Sequence, residues 1–201
     1  MRVAVLVSGR GSNLQALIET VHGHEAEIVG VASDRAGAPA LERAAAAAIP
    51  TAVFLREDYE DRTGRDLAMA DWVLARGADL VVLAGYMALL APAFVTRFPD
   101  RIVNVHPSLL PAFTGIDAIQ QAIDHGVKVV GVTVHLVDEG IDTGAILLQR
   151  AIPMPNTRDG AEVHAALQPL EHELLPEAVR LLAAGRVRRD PADPQRVVVS
   201  T

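Results

Sequence analysis

Short runs of Val, Ile, Leu and Ala recur along this chain between segments of helical period, and no other feature of the sequence constrains the fold as tightly. A strand covered on both faces reads as unbroken apolar sequence, whereas a half-exposed strand alternates. Val3-Ala4-Val5-Leu6-Val7 and Leu80-Val81-Val82-Leu83 are of the unbroken kind. The expected fold is therefore α/β, with a mostly parallel, twisted sheet and helices on both of its faces. With 201 residues, 50% of them hydrophobic, the chain can bury the core that such a fold needs.

Strands are expected over residues 2–7, 27–32, 51–55, 80–84 and 102–105, and helices over 13–21, 39–48, 61–76, 92–98 and 117–125. Pro92 stands at a helix start, and Gly126 closes the 117–125 helix. Two further β-type runs, 128–137 and 145–153, should form a hairpin or neighbouring strands, an antiparallel portion near the C-terminal part of the sheet. A long amphipathic helix is read over 161–184. Pro169 and Pro176 should kink or split it, because each removes an N–H and clashes with the carbonyl four residues back. The tail, 186–201, reads as a loose strand or as unordered, which leaves residues 1–185 as a single domain.

The chemistry gathers on turns that follow apolar strands, where reacting groups in a parallel α/β sheet usually lie. Asn104-Val105-His106-Pro107 places an amide and an imidazole on one side of an extended segment, since side chains alternate there. Asp142, in Asp138-Glu139-Gly140-Ile141-Asp142-Thr143-Gly144, offers a carboxylate that is costly to bury without a partner. An amide, an imidazole and a carboxylate suit acyl transfer. Thr133 and His135 lie in the run before that turn and either line the same cleft or pair within the strand layer. Earlier, Ser8-Gly9-Arg10-Gly11-Ser12-Asn13 turns the first strand into the first helix. Its amides and the helix N-terminus favour a phosphate, while the plainer reading is a Gly-rich turn with Ser12 as N-cap. A dinucleotide fingerprint would need glycine where Leu14 stands, although Asp34 lies where a ribose-binding acid would; a triphosphate loop would need a lysine that is absent. Gln168, Glu171 and His172 share one face of the late helix.

Composition excludes several alternatives. The net charge of −7, without a basic run, argues against nucleic acid as a partner, and the lack of cysteine removes disulfides and thiol chemistry. No His pair sits in a frame with acidic ligands, so no metal is expected. No apolar stretch reaches the roughly 18 residues of a membrane helix, and no signal-peptide pattern follows Met1, so a cytoplasmic protein with no membrane partner is expected.

Ser8 to Leu14, Leu83-Ala84-Gly85-Tyr86-Met87, Asn104 to Pro111 and Asp138 to Gly144 together resemble the folate-dependent glycinamide ribonucleotide formyltransferase family of purine synthesis, in order and with matching spacing to about Pro176. The resemblance implies a Rossmann-like formyltransferase fold, with a phosphate-binding N-terminal half and a folate-binding, catalytic C-terminal half. It implies 10-formyltetrahydrofolate as co-substrate, glycinamide ribonucleotide as acceptor, and a monomer or homodimer. By the same resemblance Asn104, His106 and Asp142 are the catalytic trio, and Gly11, Ser12, Asn13, Gln168 and Glu171 hold the ribose phosphate end. Arg62, Met87, Leu90, Val137, Asp138, Glu139, Gly140 and Ile141 are implied around the folate. Two positions depart from the pattern, Ala88 where arginine is usual and Asp117 where histidine is usual. A formyltetrahydrofolate hydrolase and a non-catalytic nucleotide-binding module are the alternatives, and the trio argues against the second.

Overall fold

Burial follows the apolar runs. In the computed structural model, which describes residues 1–200, every side chain from Val3 to Val7 and from Leu80 to Leu83 is buried, as unbroken apolar sequence requires. The strands β1 (Arg2–Val7), β2 (Glu27–Ser33), β3 (Thr51–Val53), β4 (Leu80–Leu83), β5 (Ile102–His106), β6 (Val129–Leu136) and β7 (Ile146–Pro153) form one sheet in the order β3-β2-β1-β4-β5-β6-β7. The pairs β1 with β2, β1 with β4, β2 with β3 and β4 with β5 are parallel, while β6 and β7 run antiparallel. The strand order reverses between β1 and β4, the kind of point at whose carboxyl end open α/β sheets bind ligands.

Among the described residues six α-helices accompany the strands, α1 (Ser12–Thr20), α2 (Pro39–Ala46), α3 (Arg62–Ala75), α4 (Pro92–Val95), α5 (Ala118–His125) and α6 (Gly160–Ala183), with a short 3-10 turn at Arg56–Asp58. The chain divides into two compact units between Asn104 and Val105. In the first, α1 packs on α2, α2 on β2 and β3, and α3 on α4. Asp61 caps α3 by accepting the Gly64 N–H at 2.7 Å. In the second, α6 packs on β6, β7 and α5.

Three expectations change. α6 runs unbroken through Pro169 and Pro176. Its buried face of Val163, Leu167, Leu174, Leu175, Ala178 and Val179 explains this, because each buried Leu or Val contributes about 1.5–3 kcal/mol against a cost of about 3 kcal/mol per proline. The tail is an ordered hairpin, β8 (Val187–Asp190) paired antiparallel with β9 (Asp193–Val199), whose turn is held by Asp190 accepting the Ala192 N–H at 2.9 Å. Ser12 is the first residue of α1 and not its cap; Gly11 occupies the N-cap with φ 75° and no side chain to offer. Among the described residues, no helix is long and apolar enough to cross a membrane.

Candidate active site

β5 carries Asn104, partly buried and paired with Leu83 of β4, and ends on His106, which is 5% exposed. The His106 ring is held from both sides. Its Nε2 lies 2.8 Å from the Phe113 carbonyl oxygen, which can only accept, so this nitrogen carries the proton. Its Nδ1 lies 3.4 Å from Asp142 Oδ2. The same Oδ2 accepts the Gly115 N–H at 2.8 Å, and Asp142 Oδ1 lies 3.5 Å from His135 Nε2. His135, 1% exposed, also faces the Leu136 carbonyl through Nδ1 at 2.8 Å. Two imidazoles thus share one carboxylate. Burial pushes the Asp142 carboxyl up, but hydrogen bonds from His135 and the Gly115 amide, with the charge of both imidazoles, outweigh it and hold the group below the ordinary aspartate value.

The turn that delivers Asp142 braces itself. Asp138 Oδ1 accepts the Gly140 N–H at 3.0 Å and the Thr143 hydroxyl at 2.7 Å, and the Leu136 N–H reaches the Ala145 carbonyl at 2.8 Å. Gly144 passes so close to the Leu136 carbonyl that no Cβ would fit, and Asp142 itself is left-handed at φ 55°. Aspartate tolerates this conformation better than most residues, and it turns the chain sharply at the carboxylate. Thr133, fully buried, braces the segment after His106: its hydroxyl donates to the Ser108 carbonyl at 2.7 Å and accepts the Leu110 N–H at 3.1 Å. Gln149 adds a bond to the Leu110 carbonyl at 2.9 Å. Thr133 therefore supports the loop, whereas its neighbour His135 reaches the carboxylate.

Gly11 is the N-cap of α1, and Ser12 and Asn13 open its first turn; a Cβ at Gly11 would lie 2.6 Å from that of Ala40, and φ is positive, so any other residue there is strained. Gln168 and Glu171 stand three residues apart on α6, the first partly and the second fully buried. Of the folate candidates, Arg62 opens α3 and is exposed, Met87 and Leu90 follow β4 at 66% and 8% exposure, and Val137 to Ile141 occupy the turn before Asp142. Among the described residues no His, Asp and Glu cluster is arranged to hold a metal ion. Sequence reasoning missed Phe113 and Gly115, which act through their backbones; Gly115 alone carried a hint, as the glycine of a turn with φ 78°.

Residues 1–179 match the formyl transferase family. The chain belongs to that family. Phosphoribosylglycinamide formyltransferase of Haemophilus influenzae is 41% identical to this formyl transferase over 189 residues, 93% of this chain and 89% of that protein. The trifunctional purine biosynthetic protein adenosine-3 of Drosophila pseudoobscura pseudoobscura is 43% identical over 192 residues, but the chain spans only 14% of its length. The crystal structure of glycinamide ribonucleotide transformylase 1 from Symbiobacterium toebii superposes with a TM-score of 0.95 at 42% identity, covering 100% of this chain and 94% of that one.

Proposed function

We propose that this formyl transferase moves the formyl group of 10-formyltetrahydrofolate to the primary amine of glycinamide ribonucleotide, a step of de novo purine biosynthesis. The relatives' names supply the acceptor and the group transferred, the sequence resemblance supplies the folate donor, and the observation that carries the chemistry is the pairing of buried His106 with partly buried Asp142, with the Gly115 amide on the same carboxylate oxygen. The amine attacks the formyl carbon, and negative charge gathers on the formyl oxygen of a tetrahedral intermediate. Asn104 gives that oxygen an amide N–H. His106, as imidazolium, gives it the Nε2 proton now directed at Phe113, because a charge-assisted bond to an oxyanion is stronger than one to a neutral carbonyl. Asp142 holds the imidazolium by opposite charge and, through a water, passes the proton from the attacking amine to the departing N10.

Gly11, Ser12 and Asn13 hold the phosphate on backbone amides and the α1 N-terminus, with Gln168 and Glu171 at the ribose end. Arg62, Met87, Leu90 and residues 137–141 hold the folate. The partners are small molecules and not nucleic acid, as the net charge of −7 favours, and the protein works in the cytoplasm as a monomer or homodimer. Asp142→Asn should lower kcat by about 10²–10⁴-fold while the nucleotide KM stays within a few-fold. Unchanged turnover in that variant would remove the carboxylate from the mechanism.

A further inference from the structure

Two buried polar groups outside the mechanism above hold the main chain of residues 85–91. The first is Ser8, 2% exposed at the end of β1. Its N–H donates to the Gly85 carbonyl at 3.2 Å, and its hydroxyl accepts the Met87 N–H at 2.8 Å while donating to Asp34 Oδ1 at 2.6 Å. The second is Asp66 of α3, 0% exposed, whose Oδ2 accepts the Ala91 N–H at 2.6 Å. Its Oδ1 receives Nε and Nη2 of Arg65 at 2.9 and 2.7 Å, and Arg65 is itself 4% exposed. The segment is thus tied at Gly85, Met87 and Ala91, while Tyr86 and Leu90 turn into the core.

What the segment presents outward makes this arrangement informative. Met87 and Leu89 are 66% and 51% exposed, two large apolar side chains on a firmly held main chain beside the point where the strand order reverses. A loop without a task would be held at lower cost by apolar packing, because burying a carboxylate demands a buried cation to match it. A rigid wall of apolar side chains suits a flat ring, and a wall ordered in advance binds more tightly than one ordered on contact.

We propose that Ser8 and Asp66 are positioning residues that fix the main chain behind the outward side chains of Met87 and Leu89 and so determine how tightly the folate co-substrate is held, without touching it. The proposal rests on the reading of Met87 and Leu90 as folate-binding. Ser8→Ala is the cleanest probe, since Asp66→Asn would strand the Arg65 charge and risk the fold; Asp34→Asn, which keeps the serine hydroxyl but weakens its anchor, is the milder second variant. Steady-state kinetics of the full chain with 10-formyltetrahydrofolate and glycinamide ribonucleotide are measured for both, beside Met87→Ala. Ser8→Ala should raise the folate KM about five- to tenfold and Asp34→Asn less, with kcat and the nucleotide KM within about twofold; loss of a merely stabilising hydroxyl would leave all three constants alone. A rise in folate KM for Met87→Ala with none for Ser8→Ala or Asp34→Asn overturns the proposal and spares the folate wall. No rise for Met87→Ala overturns both.

Discussion

Two imidazoles and a backbone amide meet at the Asp142 carboxylate, so removing its charge weakens the tie between the His106, His135 and Gly115 groups. Its folded-state pKa lies below the unfolded value, so its contribution to stability is present above the ordinary aspartate range and is lost as pH falls through the lower folded value. Chemical denaturation of the native chain and of Asp142→Asn should therefore differ at about pH 5, the native chain being the more stable. The gap should narrow steadily below about pH 4; a gap that widens on acidification would contradict the assigned direction. The approach of His106 to Asp142 was legible before the fold was known, since an imidazole and a carboxylate on strand-end turns announce themselves by type. The Phe113 carbonyl and Gly115 amide were not, because any residue carries those groups and only the loop's path aims them. The roles of Ser8 and Asp66 were hidden for a related reason: their partners are main-chain N–H groups of a segment distant in sequence, while Asp34 and Arg65 act by holding those two side chains.

The turn from β1 into α1 shows how an element is bought from a single residue type. Gly11 is left-handed and abuts Ala40 of α2, so Gly11→Ala meets both a conformational and a steric penalty. A loss of about 2 kcal/mol, read as a fall in Tm of roughly 4–8 °C, should accompany a several-fold rise in the nucleotide KM. A normal nucleotide KM in that variant would put the phosphate elsewhere. β1 and β4 were readable because their sequence is apolar almost without interruption; β1 has the bounds its sequence suggested, and β3 stops two residues short of them at Val53, a residue 37% exposed. α6 and the terminal hairpin were misread, each for a physical reason. Local chain preference argued for a break at Pro169 and Pro176, whereas packing on β6 and β7 decides in favour of continuity. In the tail, read as a loose strand or as unordered, Pro191 and Ala192 make the turn joining β8 to β9, and the valines 197–199 supply the returning strand.

At the scale of the whole molecule, a net charge of −7 gives no long-range attraction for a phosphate-bearing substrate. Under the proposed function, recognition of the nucleotide falls to local donors, the amides at the head of α1, and discrimination between amine and water to how the acceptor is held beside His106 and Asp142. Formyl transfer and formyl-folate hydrolysis share the oxyanion and differ only in the nucleophile, so the most direct test follows the formyl carbon. The purified chain is incubated with 10-formyltetrahydrofolate labelled in the formyl group, with and without glycinamide ribonucleotide, and the label is traced. The prediction is loss of formyl-folate only when the nucleotide is present, with one label on its amine for each folate consumed. Release of labelled formate at an equal rate without the nucleotide would contradict the account.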